Sequence, residues 1–292
     1  MKRFQNIMHT WMFAGMDLAE ICRQIKGCGF DGLDLSISND ESYSVLNYKA
    51  SHIRELADDY QLTIPAASAL MKGPIHDLSE SDAKMRNIAV DFVKRAIDAA
   101  SFAGVHYMLV MPSRIGNTTY HISRKADWAQ TVESLRICAL HARAQGVSLM
   151  LEPLNRNRVT MVRTMQEGVD MIRDVGMDNV YLVPDIYQLS MEEICGISGS
   201  IRRYGSYIKN IHVADSTRHA PGMGVYNWSE ILEALSDIDY PEALSFEPVF
   251  LDFDAKRVET EEKYQAMFLD ELKRGVAYTN AKMDAMTSLS LS

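Results

Sequence analysis

The chain has 292 residues, of which 47% are hydrophobic and 24% charged, and its formal net charge is −9. This length suits a single α/β barrel, which takes about 250 residues, and the composition excludes a disordered chain. An acidic chain lacks the excess of Lys and Arg with which proteins bind phosphate backbones, so we expect no nucleic-acid partner.

The signals of membrane insertion and secretion are also missing from the sequence. No stretch approaches the roughly 20 apolar residues of a transmembrane helix. No apolar leader segment follows the basic residues Lys2 and Arg3. Four cysteines are scattered without a Cys-x-x-Cys pair, which is typical of reduced thiols. We therefore expect a cytoplasmic protein with no membrane partner.

Short apolar segments alternate with helical patterns along most of the chain. The helical segments begin at capping residues such as Asp17 or Asp82 and end at glycines such as Gly176. The eight predicted strands are Phe4–Thr10, Gly32–Ile37, Leu62–Ser68, His106–Met111, Ser148–Pro153, Val180–Asp185, Ile208–Val213 and Ala243–Pro248. Apolar strands separated by helices indicate a parallel sheet covered by helices. The pattern predicts a single (β/α)8 TIM barrel over residues 1–292, with a frayed tail at 284–292.

Four ionisable residues lie at or near the carboxyl ends of four successive predicted strands. They are Glu152, Asp185, His212 and Glu247, spaced 33, 27 and 35 residues apart. A strand with its crossover helix takes about 30 residues, so each unit supplies one of them. The carboxyl ends of the strands converge on one face of a parallel barrel, where such barrels carry their active sites. Three carboxylates and one imidazole predict a site for Mn²⁺, Mg²⁺ or Co²⁺, with Zn²⁺ also compatible.

Glu152 and Glu247 form a predicted acid/base pair, because the fifth and eighth strands lie on opposite sides of the barrel mouth. A substrate held between them can lose a proton to one carboxylate and regain a proton from the other. The metal would stabilise the enediolate that forms in between. Each of the four residues has a structural alternative as a strand terminator, a helix cap or a core histidine, but their matched positions favour a shared site.

Other predicted substrate contacts lie in the loops that follow the strands. The glycine-containing loop after the seventh strand carries Arg218 and His219, which can hold substrate oxygens by charge-assisted hydrogen bonds. Asn155 follows the fifth strand and is expected to face the same pocket. His9 and Trp11 follow the first strand, and Trp11 is a candidate for the aromatic wall that is common in carbohydrate pockets.

Five short motifs surround these residues. They are Leu151-Glu-Pro-Leu-Asn-Arg156, Val183-Pro-Asp185, Asn210-Ile-His-Val213, Pro221-Gly-Met-Gly224 and Leu244-Ser-Phe-Glu-Pro248. With them the chain resembles, over nearly its whole length, the xylose isomerase-like barrels, and within them the ketose 3-epimerases of the tagatose or psicose type. The resemblance implies metal ligation by Glu152, Asp185, His212 and Glu247, with Mn²⁺ as the metal. It also implies acid/base roles for Glu152 and Glu247, substrate contact by Arg218, and a homodimer or homotetramer.

Two departures from the pattern of that family bear on the substrate. The family carries a histidine three residues after the metal-binding aspartate, where this chain has Gln188. Gln188 remains a candidate substrate contact, because its amide donates and accepts hydrogen bonds, but it cannot be charged. Asn157 and Arg158 stand where the family has an aromatic residue and a glutamate. Both departures leave the metal ligands intact and weaken the case for a standard ketohexose substrate.

The leading interpretation is a divalent-metal-dependent isomerase or epimerase that acts on a keto sugar or related polyol through a cis-enediolate. The same first step serves an alternative, a lyase that dehydrates a keto-inositol or similar hydroxy-ketone when a β-hydroxyl leaves. An abasic-site endonuclease needs a three-zinc cluster with more histidines, which Gln188 and the negative charge disfavour. A non-catalytic sugar-binding barrel is a further alternative, against which the acid/base pair argues.

Overall fold

A computed structural model describes residues 3–40, 44–45, 49–73 and 76–289. The strands are β1 Gln5–His9, β2 Gly32–Ser38, β3 Thr63–Leu70, β4 Tyr107–Val110, β5 Ser148–Leu151, β6 Val180–Leu182, β7 Ile211–Val213 and β8 Ala243–Phe246. The helices are α1 Leu18–Gly27, α2 Ala50–Asp59, α3 Ala83–Phe102, α4 Arg124–Ala144, α5 Met165–Val175, α6 Ile186–Glu192, α7 Gly196–Tyr204, α8 Trp228–Asp237, α9 Ala255–Thr260 and α10 Glu262–Leu289.

The strands form a closed parallel barrel. They are hydrogen-bonded in the order β6-β5-β4-β3-β2-β1-β8-β7, and each neighbouring pair is parallel. Parallel bridges of Leu182 with Ile208 and of Asp185 with His212 close the remaining seam. The backbone N–H of His212 also donates to the carbonyl of Pro184 over 2.9 Å across this seam. The predicted (β/α)8 barrel is confirmed.

Local sequence signals fix the ends of several helices. The Asp17 carboxylate begins α1 by accepting a hydrogen bond from the backbone N–H of Ala19. Asp82 does the same for α3 through the N–H of Met85. At the end of α5, Gly176 adopts the left-handed conformation with φ 69°, which glycine adopts without the steric penalty of a Cβ atom. These residues are the caps and stops that the sequence predicts.

The apolar core lies between the strands and the surrounding helices, whereas part of the barrel interior is polar. Large rings such as Phe30, Phe92 and Phe246 are fully buried in the outer layer, and each contributes about 1.5–3 kcal/mol by leaving water. By contrast, the fully buried Asp34 of β2 accepts a hydrogen bond from the hydroxyl of Ser68 in β3. The strand ends therefore combine a rigid apolar support with buried polar groups.

The C-terminal helix is longer than the sequence predicts. Residues 284–289 of the expected frayed tail belong to α10, which continues to Leu289. Met283 is 1% exposed and anchors this last part of the helix in the core. The hydroxyls of Thr287 and Ser288 also donate to carbonyls four residues earlier. Residues 290–292 lie outside the described residues.

The helices of the described part of the chain do not have the properties of membrane-spanning helices. None of them combines the length and the apolar character that crossing a bilayer requires. This agrees with the sequence, in which no long apolar stretch occurs.

Because β2 packs closely between β1 and β3, adding even one methyl group at Gly32 should destabilise the fold. A Cβ atom on Gly32 would lie 2.5 Å from the carbonyl oxygen of Thr63 and 3.1 Å from a methyl carbon of Ile7. We expect Gly32→Ala to lower the free energy of unfolding by about 1–3 kcal/mol, because the backbone of β3 must shift. Urea unfolding followed by circular dichroism measures this change.

The matched control is Gly27→Ala, at the last residue of α1, where a Cβ atom meets nothing within 4 Å. We expect this change to be neutral or to stabilise the protein by up to about 1 kcal/mol. Equal destabilisation by the two substitutions would contradict the packing argument for β2.

Candidate metal centre and substrate cavity

The four residues predicted to bind a metal converge at the carboxyl ends of their strands. Glu152, Asp185 and Glu247 follow β5, β6 and β8, and His212 lies in β7. One carboxylate oxygen from each of the three acids lies within 4.8 Å of the other two. The Nδ1 atom of His212 is 3.0 Å from Glu152 Oε1 and 3.8 Å from Glu247 Oε2. Glu152, Asp185 and His212 are at most 5% exposed, so the cluster is shielded from bulk water.

One guanidinium group partly balances the charge of the carboxylates. Arg218 donates through Nη1 to Asp185 Oδ2 over 2.7 Å and through Nη2 to Glu247 Oε2 over 3.4 Å. Its guanidinium also lies over the ring of Tyr187, 4.8 Å from the centroid. The backbone of Arg218 has φ 60°, a left-handed conformation that costs energy in a residue other than glycine. The backbone of this loop is therefore strained at Arg218, the residue whose side chain contacts the cluster.

Asp215 holds the loop that carries Arg218. It is fully buried, and it is absent from the residues predicted from the sequence. Its carboxylate accepts four hydrogen bonds, from the backbone N–H groups of Ser216, Gly222 and Tyr226 and from the indole N–H of Trp228. Because one carboxylate ties both ends of the segment between β7 and α8, the position of Arg218 depends on it.

The environments of the two glutamates move their pKa values in opposite directions. Burial raises the pKa of Glu152 to about 7, although the adjacent His212 opposes this shift. Burial also disfavours the charged form of Glu247, but its interactions with His9, His212 and Arg218 outweigh this effect and lower the pKa. For His212, burial disfavours the imidazolium, yet the neighbouring carboxylates raise its pKa to about 10. A separation of this kind is how enzymes make one carboxyl group an acid and another a base.

The donor atoms of the cluster fit a divalent cation. Carboxylate oxygens with one imidazole nitrogen suit Mn²⁺, Mg²⁺ or Co²⁺. Nδ1 of His212 faces the carboxylates and is the ring nitrogen that would join them as a ligand. The three closely spaced carboxylates repel one another, and of the three Arg218 contacts Asp185 and Glu247. A divalent cation at this point would offset the remaining repulsion.

His9, predicted as a substrate contact, lies beside His212 rather than in the cavity wall. The two rings meet edge to face with centroids 4.6 Å apart. Burial lowers the pKa of His9, which favours the neutral ring. A ring nitrogen of His9 also lies within 4.8 Å of donor atoms of His212 and Glu247. His9 is therefore placed to act on the cluster from the barrel interior.

Asp34 is a second buried carboxylate that the sequence analysis did not single out. Its Oδ1 lies 3.5 Å from Nδ1 of His9. Its two oxygens also accept hydrogen bonds from Ser68, Asn210 and Ser245, at 2.8, 3.2 and 3.0 Å. A charged residue in the middle of the apolar run Gly32-Leu-Asp-Leu was the available signal. These contacts connect β2 to four other strands or strand ends beneath the cluster.

A cavity of about 1140 Å³ opens above the carboxylates. Its size is comparable to the upper end of the range for small-molecule sites, about 1,000 Å³. Four residues predicted to contact the substrate line it: Trp11, Asn155, Gln188 and Arg218. Gln188 accepts hydrogen bonds from the backbone and side-chain N–H groups of Asn155 over 3.1 and 2.6 Å. Hence the carbonyl end of the Gln188 amide is already engaged by the protein.

His219, which was predicted to bind substrate oxygens, instead packs against other residues of the protein. Its ring stacks on Phe250 with centroids 4.6 Å apart, and its Nδ1 lies 3.0 Å from Glu271 Oε2. It is not among the described residues that line the cavity. The structure thus separates the two neighbouring loop residues, with Arg218 in the cavity and His219 against α10.

Fold and site together define a class of protein, a parallel (β/α)8 barrel with a carboxylate–imidazole centre at the carboxyl ends of its strands. Residues 22–267 match the family described as "Xylose isomerase-like TIM barrel". The chain belongs to this family, as the sequence motifs predict.

Named relatives are sugar epimerases. D-psicose 3-epimerase of Ruminiclostridium cellulolyticum is 33% identical over 230 residues, which cover 77% of this chain and 76% of the relative. D-psicose 3-epimerase of Agrobacterium fabrum is 29% identical over 227 residues, 77% of each chain. A crystal structure of D-psicose 3-epimerase with D-tagatose from Clostridium cellulolyticum has a TM-score of 0.80 and 27% identity, covering 95% of this chain and 98% of that one. The predicted similarity to ketose 3-epimerases is confirmed.

The raised pKa values predict that metal binding depends on pH. A ligand must lose its proton before it binds a cation, and Glu152 is protonated below a pKa of about 7. We expect the affinity for Mn²⁺ to rise about a hundredfold per pH unit from pH 5.5 to 7, because Glu152 and His212 must each lose a proton there. Above pH 7 it should rise about tenfold per pH unit, because only His212, with a pKa of about 10, still has to lose its proton.

Calorimetric titration with Mn²⁺ at several pH values, in buffers with different ionisation enthalpies, measures both the affinity and the protons released. An affinity that does not change between pH 5.5 and 8, with no proton release, would contradict the assignment of these ligands.

The contacts of Asp215 predict a large effect of a small substitution. Asp215→Asn replaces an acceptor oxygen by an amide that faces N–H donors, and an unsatisfied buried donor costs about 1–3 kcal/mol. We expect a loss of this size in the free energy of unfolding, measured in urea. The control is Asp237→Asn, whose carboxylate is 55% exposed and should matter by less than about 0.5 kcal/mol. Equal effects of the two changes would refute the role of Asp215.

Proposed function

We propose that this protein is a divalent-metal-dependent epimerase or isomerase of a keto sugar or related polyol, and that it works through a cis-enediolate with Glu152 and Glu247 as its acid/base pair. The observation that carries the proposal is the convergence of these two carboxylates with Asp185, His212 and Arg218 beneath one cavity. The names of the relatives, D-psicose 3-epimerases, support the same class of reaction.

The opposite pKa shifts suggest the direction of proton transfer. Glu247, whose pKa is lowered, carries a negative charge at neutral pH and can take the proton from the carbon beside the substrate carbonyl. The electron pair of that C–H bond then moves into the enediolate. Glu152, whose burial favours the protonated form, faces the reacting carbon from the other side of the barrel mouth and is the group that we propose to return a proton to the opposite face of the carbon. In the reverse reaction the two roles exchange.

A divalent ion, for which we propose Mn²⁺, would supply positive charge that stabilises the enediolate oxygens. Glu152, Asp185, His212 and Glu247 are the residues that would hold it. Arg218 keeps the carboxylates of Asp185 and Glu247 in place by donating to both. Its donors thereby fix the orientation of the base before the substrate arrives, which is the purpose of a preorganised site.

The cavity walls suit a polyhydroxy substrate. Trp11 lines the cavity and meets the ring of Phe253 edge to face, with centroids 5.8 Å apart. These rings offer an apolar face to the C–H groups of a sugar. The amides of Gln188 and Asn155 lie in the wall as hydrogen-bonding groups for hydroxyls. We propose that these four residues bind the substrate together with Arg218.

The decisive experiment is solvent exchange in D₂O. Mn²⁺-loaded protein is incubated with a panel of ketoses, ketose phosphates and keto-inositols, and deuterium uptake at the carbon beside the carbonyl is followed by NMR. We expect Glu247→Gln to reduce uptake by at least about 100-fold, since general base catalysis contributes at least that much. Bound Mn²⁺ is measured by EPR, so that a loss of proton transfer can be told from a loss of metal.

Glu133→Gln, on the exposed surface of α4, is the matched control and should keep the wild-type rate. Labelled epimer or aldose would identify the product, whereas loss of water would favour the lyase alternative. No uptake from any compound, with Mn²⁺ bound, would count against an enolising enzyme.

A further inference from the structure

Two arginines in the cavity wall have no partner within the part of the chain that the structure describes. Arg114 lies in the loop between β4 and α4, and Arg158 lies in the loop between β5 and α5. Both line the cavity above the carboxylate cluster. Neither side chain makes a hydrogen bond or an ion pair with a described residue. Two guanidinium groups are thus available to a ligand in the cavity.

The backbone fixes these two loops to each other. The N–H of Gly116 donates to the carbonyl of Arg158 over 2.8 Å. Next to this bond, Asn117 and Val159 form a parallel β-bridge. The two guanidinium groups therefore extend from connected backbones, so less conformational freedom is lost when a ligand binds between them.

Several other arginines of this acidic chain form ion pairs with carboxylates. Arg156, two residues before Arg158, donates through Nε and Nη2 to Glu192 over 3.0 and 2.9 Å. Lys72, a further cation in the cavity wall, pairs with Asp40 over 3.7 Å. With a net charge of −9, acidic partners are abundant on this protein. Arg114 and Arg158 instead remain unpaired in the wall of a cavity.

The cavity has walls of different character. Arg114 and Arg158 belong to the side formed by the loops after β4 and β5, whereas Val249 and Phe253, after β8, are apolar. The carboxylate cluster lies beneath. A negative group on the substrate would be attracted by the arginines, so it would bind on their side of the cavity and leave the carbonyl end for the carboxylate cluster and the metal that we propose there.

We propose that Arg114 and Arg158 bind an anionic substituent of the substrate, a carboxylate or a phosphate ester, at the end remote from the carbonyl. The guanidinium group presents paired N–H donors that match two oxygens of either anion. The identity of the ligand as a substrate rests on the proposed epimerase or isomerase function, but the anion site itself can be tested without turnover.

The test is calorimetric binding of three unreactive polyols to the Mn²⁺-loaded protein: glucitol, gluconate and glucitol 6-phosphate. We expect at least one of the two anions to bind about tenfold or more tightly than glucitol, as charge-assisted hydrogen bonds imply. Arg114→Gln and Arg158→Gln should each weaken that anion about tenfold and leave glucitol unchanged. The anion that loses more affinity identifies the group as carboxylate or phosphate.

Arg156→Gln is the matched control, because it removes an arginine from the same loop outside the cavity wall. It should alter none of the three affinities. Anions that bind no tighter than glucitol, or an anion preference that survives in the Arg114→Gln/Arg158→Gln double variant, would overturn the inference.

Deuterium exchange with neutral and anionic ketoses separates this inference from the proposed function. An arginine-dependent anion preference without exchange from any ketose leaves the anion site established and removes the proposed function. Exchange at equal kcat/KM for neutral and anionic ketoses, unchanged in the double variant, supports the proposed function and overturns the anion site.

Discussion

The mutual repulsion of three closely spaced carboxylates, two of them buried, is the constraint on which the rest of this structure depends. Oxygens of Glu152, Asp185 and Glu247 lie within 4.8 Å of one another, and buried charges are costly unless opposite charges accompany them. Arg218 and His212 supply part of that compensation. Burial is the main cause of the pKa of about 7 at Glu152, and repulsion by Glu247 and Asp185 adds to it. The uncompensated negative charge is what suits the cluster to a divalent cation.

Two residues of the cluster also help to close the barrel. The seam between β6 and β7 closes partly through the bridge of Asp185 with His212. The same Asp185 carboxylate caps α6 by accepting hydrogen bonds from the N–H groups of Tyr187 and Gln188. Asp185 thus performs the capping role that was the alternative to metal binding, through Oδ1, whereas its Oδ2 contacts Arg218 in the cluster. The pairing that closes the barrel also fixes the positions of Asp185 and His212.

Regular spacing explains why the sequence predicts the strands and the four converging residues. Each strand–helix unit repeats the same local pattern, and a parallel barrel brings equivalent positions together without further information. Asp34 and Asp215 differ, because their roles depend on partners that local patterns do not reveal. Asp34 contacts residues 34, 176 and 211 positions away. For the same reason, the pairing of His219 with Glu271, 52 positions away, could not be predicted from its loop.

The site residues at the strand ends and those in the loops differ in how freely they can be exchanged. The carboxylates and His212 lie at or next to the ends of β5 to β8, where backbone pairing fixes their positions. Arg114 and Arg158 lie in loops that tolerate sequence change, and there an exchange of residues alters the charge of the cavity wall without moving the cluster. The strand ends accordingly carry the residues on which the proposed reaction rests, whereas the loops carry the arginines on which the proposed charge of the substrate rests. Two unpaired guanidinium groups above a cluster of carboxylates would orient a keto sugar that carries an anion, since only one orientation brings the anion to the arginines and the carbonyl end to the cluster.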